Sequence, residues 1–466
     1  HSLLAQAADS ISYWPLGILA ISVVFIVFSI IKLKLHPFLA LIFAAVLTGL
    51  LTGDLPGMTT ENVGLFKNRV ALNDTPDDST NDMLLALNWS FLGFGNTAGG
   101  IGFVVALAAI IGTCMLGSGA ADRVVRALMN LFGEKRAGLV LLLSGFLLSI
   151  PVFFDTVFFL LIPLARALSL RTGKSYTLYV IAMAGAGAIT HSMVPPTPGP
   201  LMIANGLKLD LGLAMMAGLS ASILPAILVL FLARKFDSKF NIPMRDTPGA
   251  STSDLKSIVD KKASELPNLF LSSLPVALPV VLISLVSILK LANKDISAAG
   301  WFQYLEFFGN PNVAMLVAAV ISIYTLAAQM IGEKRISEGG VMSTLAKALE
   351  NPLQTAGIII LITGAGGAFG GMIRLAGVGE TIEALAKSYN ISLILLAWGA
   401  TAVVRIAQGS ATVSMITGVG LMSAVIGGIE LDYHPLYIFL AIGFGSITLS
   451  WMNDSGFWVV QRLSGF

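Results

Sequence analysis

Residues that could do chemistry lie inside otherwise apolar stretches of this 466-residue sequence. Asp155 and Thr156 stand in SIPVFFDTVFFLLIP, between aromatic and aliphatic residues. A carboxylate is costly in such surroundings, and the loss of water favours its neutral form, so Asp155 is a candidate carrier of a proton. Asp is also a good helix N-cap, and one residue can fill both roles.

A second stretch, ITHSMVPPTPGPLM, places four prolines near the end of the apolar segment 176–204. Proline lacks a backbone N–H and clashes with the preceding helical turn, so Pro195, Pro196, Pro198 and Pro200 predict an interrupted helix. Unwound backbone is tolerated at membrane depth only where protein or an aqueous cavity surrounds it. The alternative is an external turn, but the apolar residues on both sides favour an unwound crossing.

His191 directly precedes Ser192, a pairing that suggests an intramembrane hydrolase. Adjacent residues on one helix point about 100° apart, and no nearby carboxylate orients the imidazole, which argues against that chemistry. His191 is then either a hydrogen-bonded core histidine or a proton relay or contact for a substrate hydroxyl.

The stretch RIAQGSATVSMITG carries a third polar group. Gln408 and Ser410 flank Gly409, at the expected tip of a hairpin. Arg405 precedes them, and it could pair with a substrate carboxylate or with Asp155 or Asp454. The alternatives are that its side chain snorkels to the membrane surface or makes a structural ion pair.

The stretch WMNDSGFW interrupts the last apolar segment with Asn453, Asp454, Ser455 and Gly456. Two hairpin tips and two unwound crossings are expected to converge, with helix N-termini directing partial positive charge at one point. Such a site suits a carboxylate.

Composition indicates a membrane protein. Hydrophobic residues make up 56% and charged residues 12% of the chain, with a mean hydropathy of +0.85, whereas soluble domains average about 25% charged residues. Several stretches reach the roughly 20 apolar residues that span a bilayer. The net charge of +2 says little about partners, and no nucleic-acid partner is expected. We therefore expect an all-α polytopic membrane protein.

Apolar segments predict the topology. They fall at 13–31, 38–53, 97–118, 138–150, 156–168, 176–204, 211–232, 269–290, 311–331, 355–375, 391–404, 410–427 and 436–460. Two adjacent pairs are short, beginning at 138 and at 391, and predict two re-entrant hairpins. With the other nine as crossings and the N-terminus outside, the cytoplasmic loops hold 20 of the 28 Lys and Arg residues, which is the positive-inside pattern. The first hairpin then opens inward and the second outward.

An internal repeat supports opposed hairpins. An offset of 258 residues aligns GAGAITHSMVPP with GFGSITLSWMND. Inverted repeats with unwound crossings are an architecture of secondary transporters. The expected regions are scaffold helices with an external loop at 1–96, repeat 1 with the inward-opening hairpin at 97–232, a cytoplasmic linker at 233–268, scaffold helices at 269–354 and repeat 2 with the outward-opening hairpin at 355–466.

Other chemistries find little support. No cluster of His, Cys and acidic residues has metal-ligand spacing, so neither a metal nor another cofactor is expected, and the chain is not expected to be an enzyme. GAGGAFGG at 364–371 matches a loose dinucleotide-binding pattern without a βαβ context. Close helix packing explains it better, as it does GNTAGGIG at 95–102.

Together the motifs resemble those of the gluconate:proton symporters, or gluconate permeases, of bacterial inner membranes. The resemblance rests on FFDTVFFLLIPLA, HSMVPPTPGPL, QGSATVSM and NDSGFW in this order, and it runs from about residue 36 to 460. The family belongs to the ion-transporter superfamily, whose carboxylate symporters have two opposed hairpins and a dimeric, elevator-type mechanism. Family chains usually continue through another hydrophobic helix, so a final crossing after Phe466 is expected to be missing.

The resemblance implies import of gluconate or a related sugar acid or hydroxy acid by proton symport, with alternating access and a homodimer in the bilayer. Symport of another small carboxylate or an amino acid, such as glycerate or D-serine, sodium coupling and, more distantly, hydrolysis are the alternatives. Asp155 and Asp454 are the expected proton-coupling residues. The resemblance implies substrate binding by Thr156, His191, Thr197, Gly199, Gln408, Gly409, Ser410, Asn453 and Ser455. Arg405 is expected to bind the substrate because it could pair with a carboxylate.

Overall fold

The computed structural model describes residues 12–53, 55–56, 81–151, 153–172, 175–240, 242, 244–245, 265–336, 339–378, 381, 392–426, 431–450 and 454–466. These residues form helices and short turns, with no β-strand among them. The first nine helices are α1 (Trp14–Ile31), α2 (Pro37–Thr52), α3 (Asp82–Ser118), α4 (Ala120–Phe132), α5 (Ala137–Leu148), α6 (Phe154–Thr172), α7 (Tyr176–Met193), α8 (Pro198–Gly206) and α9 (Leu211–Phe240). The others are α10 (Leu269–Ala292), α11 (Phe302–Phe308), α12 (Pro311–Gly332), α13 (Gly340–Leu375), α14 (Leu393–Gln408), α15 (Ala411–Ile426), α16 (Leu436–Ser446) and α17 (Ser455–Ser464).

Asparagine caps start several of the long helices. The side chain of Asn268 accepts a hydrogen bond from the backbone N–H of Phe270 at 2.8 Å, and Asn81 and Asn310 cap α3 and α12 in the same way. Each cap satisfies one of the N–H groups that a helix start leaves without an intrahelical partner.

Among the described residues, seven helical spans are long and apolar enough to cross a membrane: Trp14–Ile31, Asp82–Ser118, Tyr176–Gly206, Leu211–Phe240, Leu269–Ala292, Pro311–Gly332 and Gly340–Leu375. The chain is therefore a multi-pass membrane protein, and its described part is helical. The predicted pairs of short segments correspond to α5 with α6 and α14 with α15. Of these, α5 has 12 residues and is about 18 Å long, well short of a hydrocarbon core of about 30 Å. The prediction of a short segment is wrong for α6, which has 19 residues and is about 28 Å long.

Two predicted segment starts are wrong. The helix expected from residue 97 begins at Asp82, and the helix expected from residue 355 begins at Gly340. The added turns contain polar residues, which lower the mean hydropathy that marks a membrane segment. Leu, Ala, Lys and Glu are nevertheless strong helix formers, so the helix continues where the apolar run does not.

The structure divides into two compact units, and each takes pieces from distant parts of the chain. Unit 1 comprises His1–Phe103, Pro198–Leu209 and Gly357–Asn453. Unit 2 comprises Val104–Thr197, Asp210–Ala356 and Asp454–Phe466. The units interleave along the sequence, because the two short helices α8 and α17 each belong to a different unit from the helix that precedes them.

The core of unit 1 surrounds the fully buried indole of Trp89, with Leu41, Phe369 and Met372 among its members. Glycine permits a close helix contact, because a Cβ on Gly370 of α13 would lie 2.7 Å from the Cα of Gly420 on α15. The packing role predicted for GAGGAFGG is thus confirmed.

The same prediction is wrong at Gly99 of the GNTAGGIG stretch. A Cβ on this residue would meet nothing within 4 Å. Glycine spacing alone does not distinguish a helix interface from an open helix face, because the contact depends on the partner helix.

Unit 2 is built on close packing of α7 between α5 and α9. Leu142, Ala182, Ala186 and Ala226 form one of its cores. Small residues let the helix backbones approach one another, as in other membrane helix interfaces.

Helix bounds recur along the chain at the offset found in the sequence. Helices α3, α5, α6, α7 and α8 have counterparts α13, α14, α15, α16 and α17, and each counterpart starts within two residues of the 258-residue offset. This agreement extends the sequence repeat to the order and the starting positions of the helices.

Candidate functional site

The polar stretches predicted to hold the substrate all fall at helix breaks. Non-helical residues separate α5 from α6, α7 from α8, α14 from α15 and α16 from α17. The helices that follow these breaks, α6, α8, α15 and α17, fall into two pairs: α8 with α15 in unit 1 and α6 with α17 in unit 2. A helix start carries about half a positive charge and unsatisfied N–H groups, so each start can face an anion.

Helices α8 and α15 pack side by side and start at the same end. A Cβ on Gly199, the second residue of α8, would lie 3.5 Å from the Cβ of Met415. A Cβ on Gly206, at the end of α8, would lie 3.8 Å from the Cβ of Val419. Both helices therefore advance in the same direction, and their N-terminal partial charges add at one place in unit 1.

The start of α8 differs from the prediction in the extent of the break. Only residues 194–197 are non-helical, and Pro198 and Pro200 lie in the first turn of α8. Proline is tolerated there because the first N–H groups of a helix have no intrahelical partner. Since Pro198 and Pro200 have no N–H, Gly199 is the residue that brings a backbone N–H to the first three positions of α8. Its missing Cβ leaves room for buried Met415.

The start of α15 is capped by a hydroxyl group. Gly409 ends α14 with a φ of 92°, and the Oγ of Ser410 accepts a hydrogen bond from the N–H of Val413 at 3.3 Å. Neither α8 nor α15 has an acidic residue in its first turn. This pair of helix starts, hereafter the acid-free pair, thus combines two positive helix ends with a serine and no carboxylate.

Arg405 lies one turn before Gly409, in the last turn of α14. Its side chain is only 4% exposed, so it sits within the protein and not at a lipid-facing or aqueous surface. A buried side chain does not snorkel to the membrane surface, so that alternative is wrong for Arg405. An ion pair and a contact with the substrate carboxylate are the two interpretations that are left.

Helices α6 and α17 pair in unit 2 in a similar way. A Cβ on Gly456, the second residue of α17, would lie 3.4 Å from the Cε1 of Phe154, the first residue of α6. At the other end, the hydroxyl of Tyr176, four residues after α6, donates to the carbonyl of Ser464 at 2.7 Å. The contact of Gly456 with Phe154 therefore places the starts of the two helices together, and the contact of Tyr176 with Ser464 ties the end of α17 to the start of α7.

This second pair carries carboxylates. Asp454 is the N-cap of α17, and its Oδ1 accepts a hydrogen bond from the N–H of Gly456 at 2.9 Å. Asp155 is the second residue of α6, and its side chain lies outside the described residues. The α6–α17 pair is hereafter the acidic pair.

The predicted break at Asn453–Gly456 is displaced. Helix α16 ends at Ser446, while Ser455 and Gly456 already belong to the first turn of α17. The Asp454 cap explains the shift, because an N-cap carboxylate allows the helix to begin at the next residue.

Thr197 and His191 belong to the break before α8. The Thr197 hydroxyl has two backbone carbonyls within reach, those of Val194 at 2.7 Å and His191 at 3.0 Å. Its hydrogen is engaged in closing the end of α7, so it can meet a ligand only as an acceptor. His191 is half-buried on α7 and Thr197 is buried.

Besides Asp155, four expected substrate-binding residues are not described at the level of their side chains. Asn453 lies outside the described residues, and so do the side chains of Thr156, Gln408 and Ser455. In the described part of the chain no group of three or more His, Cys, Asp or Glu residues could hold a metal ion.

Sequence reasoning missed one feature of unit 1. A pocket of about 310 Å³ is lined by residues that include Arg374 and Lys208. The available signal was Arg374 itself, a charged residue inside an apolar segment, to which no role was given.

Comparison with known proteins gives a consistent result. The family described as GntP family permease matches residues 14–64 and 83–466. A gluconate permease of Pseudomonas aeruginosa is 32% identical over 444 residues, which are 95% of this chain and 89% of that protein. The D-serine transporter DsdX of Escherichia coli K12 is 30% identical over 452 residues, 97% of this chain and 92% of that protein.

Among solved structures, the YdaH transporter of Alcanivorax borkumensis shares the fold. The TM-score is 0.52 at 15% sequence identity, with 92% of this chain and 91% of that chain covered.

Proposed function

Because the chain belongs to the GntP family of permeases, we propose that it is a secondary active transporter that imports gluconate or a related sugar acid or hydroxy acid by proton symport. Its family consists of permeases, so it is a transport protein and not an enzyme. The alternative of a hydrolase built on His191 and Ser192 is therefore wrong. Substrate, coupling ion and site residues are the parts that we propose.

The substrate carboxylate binds at the acid-free pair in unit 1. The observation that carries this proposal is the parallel start of α8 and α15, which Gly199 against Met415 and Gly206 against Val419 define. Two helix N-termini with no acidic residue in either first turn form a positive site without a competing carboxylate. Buried Arg405 on α14 adds a full positive charge to the same unit.

The substrate hydroxyls bind to polar side chains at the breaks. In unit 1 these are Gln408, Ser410 and Asn453, together with the backbone of Gly199 and Gly409. For Thr156, His191, Thr197 and Ser455 of unit 2, substrate binding stays a prediction from the sequence. Gluconate has one carboxylate and several hydroxyls, and D-serine has a carboxylate and one hydroxyl. A relative named for each of these compounds supports a small hydroxylated carboxylate as the substrate class.

The proton is carried at the acidic pair in unit 2, by Asp155 and Asp454. Both residues place a carboxyl group at the start of a helix, and a carboxyl group inside an apolar segment is a candidate for a proton relay. Sodium coupling through backbone carbonyls and hydroxyls is the second candidate, since unwound segments expose such oxygens.

The duplicated helix order supports alternating access of the elevator type with two opposed re-entrant hairpins. We further propose a homodimer in the bacterial inner membrane with the N-terminus outside, an orientation supported by the excess of Lys and Arg in the cytoplasmic loops.

The substrate is identified by a ligand-stabilisation screen of the purified full-length protein in detergent. Gluconate, glycerate, other sugar acids and D-serine are added separately, and the melting temperature is recorded. A ligand that binds the folded state raises the apparent stability by mass action, by about 2.7 kcal/mol at 100 times its Kd. A panel without any stabilising acid contradicts the proposed substrate class.

The coupling ion is identified by uptake of that ligand into proteoliposomes. Proton symport predicts that a protonophore abolishes accumulation and that removal of sodium has no effect. Accumulation that persists without a proton gradient and requires sodium supports the alternative.

A further inference from the structure

Unit 1 contains a pocket that the proposed transport site does not use. Its volume of about 310 Å³ lies at the lower end of the range of about 300–1,000 Å³ for small-molecule sites. The walls are the later turns of α8 and α15, the last turns of α13 and a residue of α3, all within unit 1.

The pocket lining is positively charged. Arg374 and Lys208 are its ionisable residues, and its described lining contains no carboxylate. Within the described chain, neither side chain forms an ion pair with a carboxylate. Arg374 is half-buried in the last turn of α13, where the negative end of the helix dipole favours a cation, and exposed Lys208 follows α8.

Hydroxyl groups complete the lining. Ser423 donates to the carbonyl of Gly420 at 3.1 Å, so its oxygen stays available as an acceptor, and Thr97 adds a second hydroxyl. An arginine that can bind a carboxylate through two N–H groups, together with acceptors for hydroxyl hydrogens, fits a small hydroxylated carboxylate.

The pocket is separate from the acid-free pair. Ser423 lies 12 residues beyond Ala411, the first residue of α15, which corresponds to about 18 Å along the helix. In the topology predicted from Lys and Arg placement, Lys208 stands in an external loop and α13 runs outward from the cytoplasmic loop 333–349. Both cations then belong to the outer side.

We propose that this pocket, hereafter the Arg374 pocket, is a second anion site that captures a small hydroxylated carboxylate on the outer side of the membrane. Its role as an entry site rests on the proposed function, whereas its ability to bind the anion does not. Lys208 attracts the anion from solution, and the guanidinium of Arg374 holds the carboxylate.

The test places one reactive thiol in the pocket. The chain has a single cysteine, Cys114, which is buried, so Ser423→Cys gives a pocket-specific label in the purified full-length protein. Asn205→Cys, on the exposed side of α8 and outside the lining, is the matched control. Each variant is treated with an anionic sulfonate and a cationic ammonium form of the same thiol reagent, with and without gluconate, in nanodiscs of phosphatidylcholine.

The Arg374 pocket predicts that Ser423→Cys reacts about tenfold faster with the anionic reagent than with the cationic one. Gluconate should slow this reaction and leave Asn205→Cys unchanged. Adding Arg374→Gln should remove both effects, while Arg374→Lys should keep the charge preference. The lysine variant also reveals whether a loss reflects charge or misfolding.

Equal rates for the two reagents, or full reaction in the presence of gluconate, overturn the proposal. Protection by inorganic phosphate or by added phosphatidylglycerol, without protection by gluconate, overturns the assignment to an organic acid. Failure of the proposed function has a different signature, because proteoliposomes would then show no uptake while the labelling pattern stayed as predicted.

Discussion

The acid-free pair and the acidic pair have the same construction and different chemistry. In each, a short helix after a break packs in parallel on the second helix of a predicted hairpin, α8 on α15 and α17 on α6. The caps differ, because Ser410 caps α15 with a hydroxyl and Asp454 caps α17 with a carboxylate. Asp155 adds a second acid to the start of α6.

The residues that distinguish the two pairs have no equivalents across the repeat. At the 258-residue offset, Asp155 corresponds to Val413, Asp454 to Pro196 and buried Arg405 to Leu147. Positive charge without acid suits a bound carboxylate, and acids at helix starts suit a proton that comes and goes. In this account each pair takes one helix from each repeat, and differences at single positions assign anion binding to one pair and proton coupling to the other.

The largest effect is expected when an acid is placed in the acid-free pair. Ser410→Asp should weaken substrate binding by at least about 100-fold, because two like charges about 4 Å apart in a partly buried site repel by several kcal/mol. Asp caps helices as well as Ser, so the fold should survive. Ser410→Asn, an equally good but neutral cap, is the matched control and should bind within a few-fold of the unaltered protein. Binding is measured by ligand stabilisation, and retention of affinity by Ser410→Asp contradicts the assignment.

Removing an acid from the acidic pair should have a different result. Asp155→Asn keeps the size and polarity of the side chain but cannot release a proton, so binding should persist while proton-driven accumulation is lost. Counterflow and accumulation in proteoliposomes report the two properties separately. Normal accumulation by Asp155→Asn removes this residue from the coupling role.

A smaller effect is expected at Gly199. Gly199→Ala should lower the free energy of unfolding by about 1–3 kcal/mol, because the new methyl group overpacks against buried Met415. Gly357→Ala is the control, since a Cβ at Gly357 of α13 would meet nothing within 4 Å. Thermal unfolding measures both variants. An unchanged stability with lost binding would assign Gly199 to ligand approach and not to helix packing.

The smallest effect is expected at the cap of α17. Asp454→Ala should cost about 1 kcal/mol of stability, because the N–H of Gly456 loses its acceptor. Asp454→Asn keeps an acceptor and should melt within error of the unaltered protein. If both variants lose stability equally, the negative charge and not the cap stabilises the helix start.

Local chemistry made the helix breaks predictable from sequence. Proline, glycine and Asp-Ser-Gly combinations act over a few residues, so the positions of all four interruptions are correct to within a few residues. Errors arose at helix lengths, where Asp82 and Gly340 start α3 and α13 earlier than hydropathy indicates. Hydropathy detects the apolar part of a helix, whereas the cap at Asn81 sets the true start of α3.

The sequence alone did not predict which distant segments pack against each other. Gly199 and Met415 are separated by more than 200 residues, and only the packing of α8 on α15 identifies why position 199 is a glycine. The Arg374 pocket was missed for the same reason, since its lining comes from four helices. The residue types predicted that a carboxylate-binding group and a proton-carrying group are present in the chain. The tertiary contacts determined which of these residues lie close together.

The division of labour between the two pairs is tested by measuring Ser410→Asp and Asp155→Asn side by side in one proteoliposome assay. Both counterflow and accumulation driven by an imposed pH gradient are recorded for the acid that the stabilisation screen identifies. Ser410→Asp should lose both activities, and Asp155→Asn should keep counterflow and lose accumulation. Identical behaviour of the two variants, in either direction, contradicts separate sites for the anion and the proton.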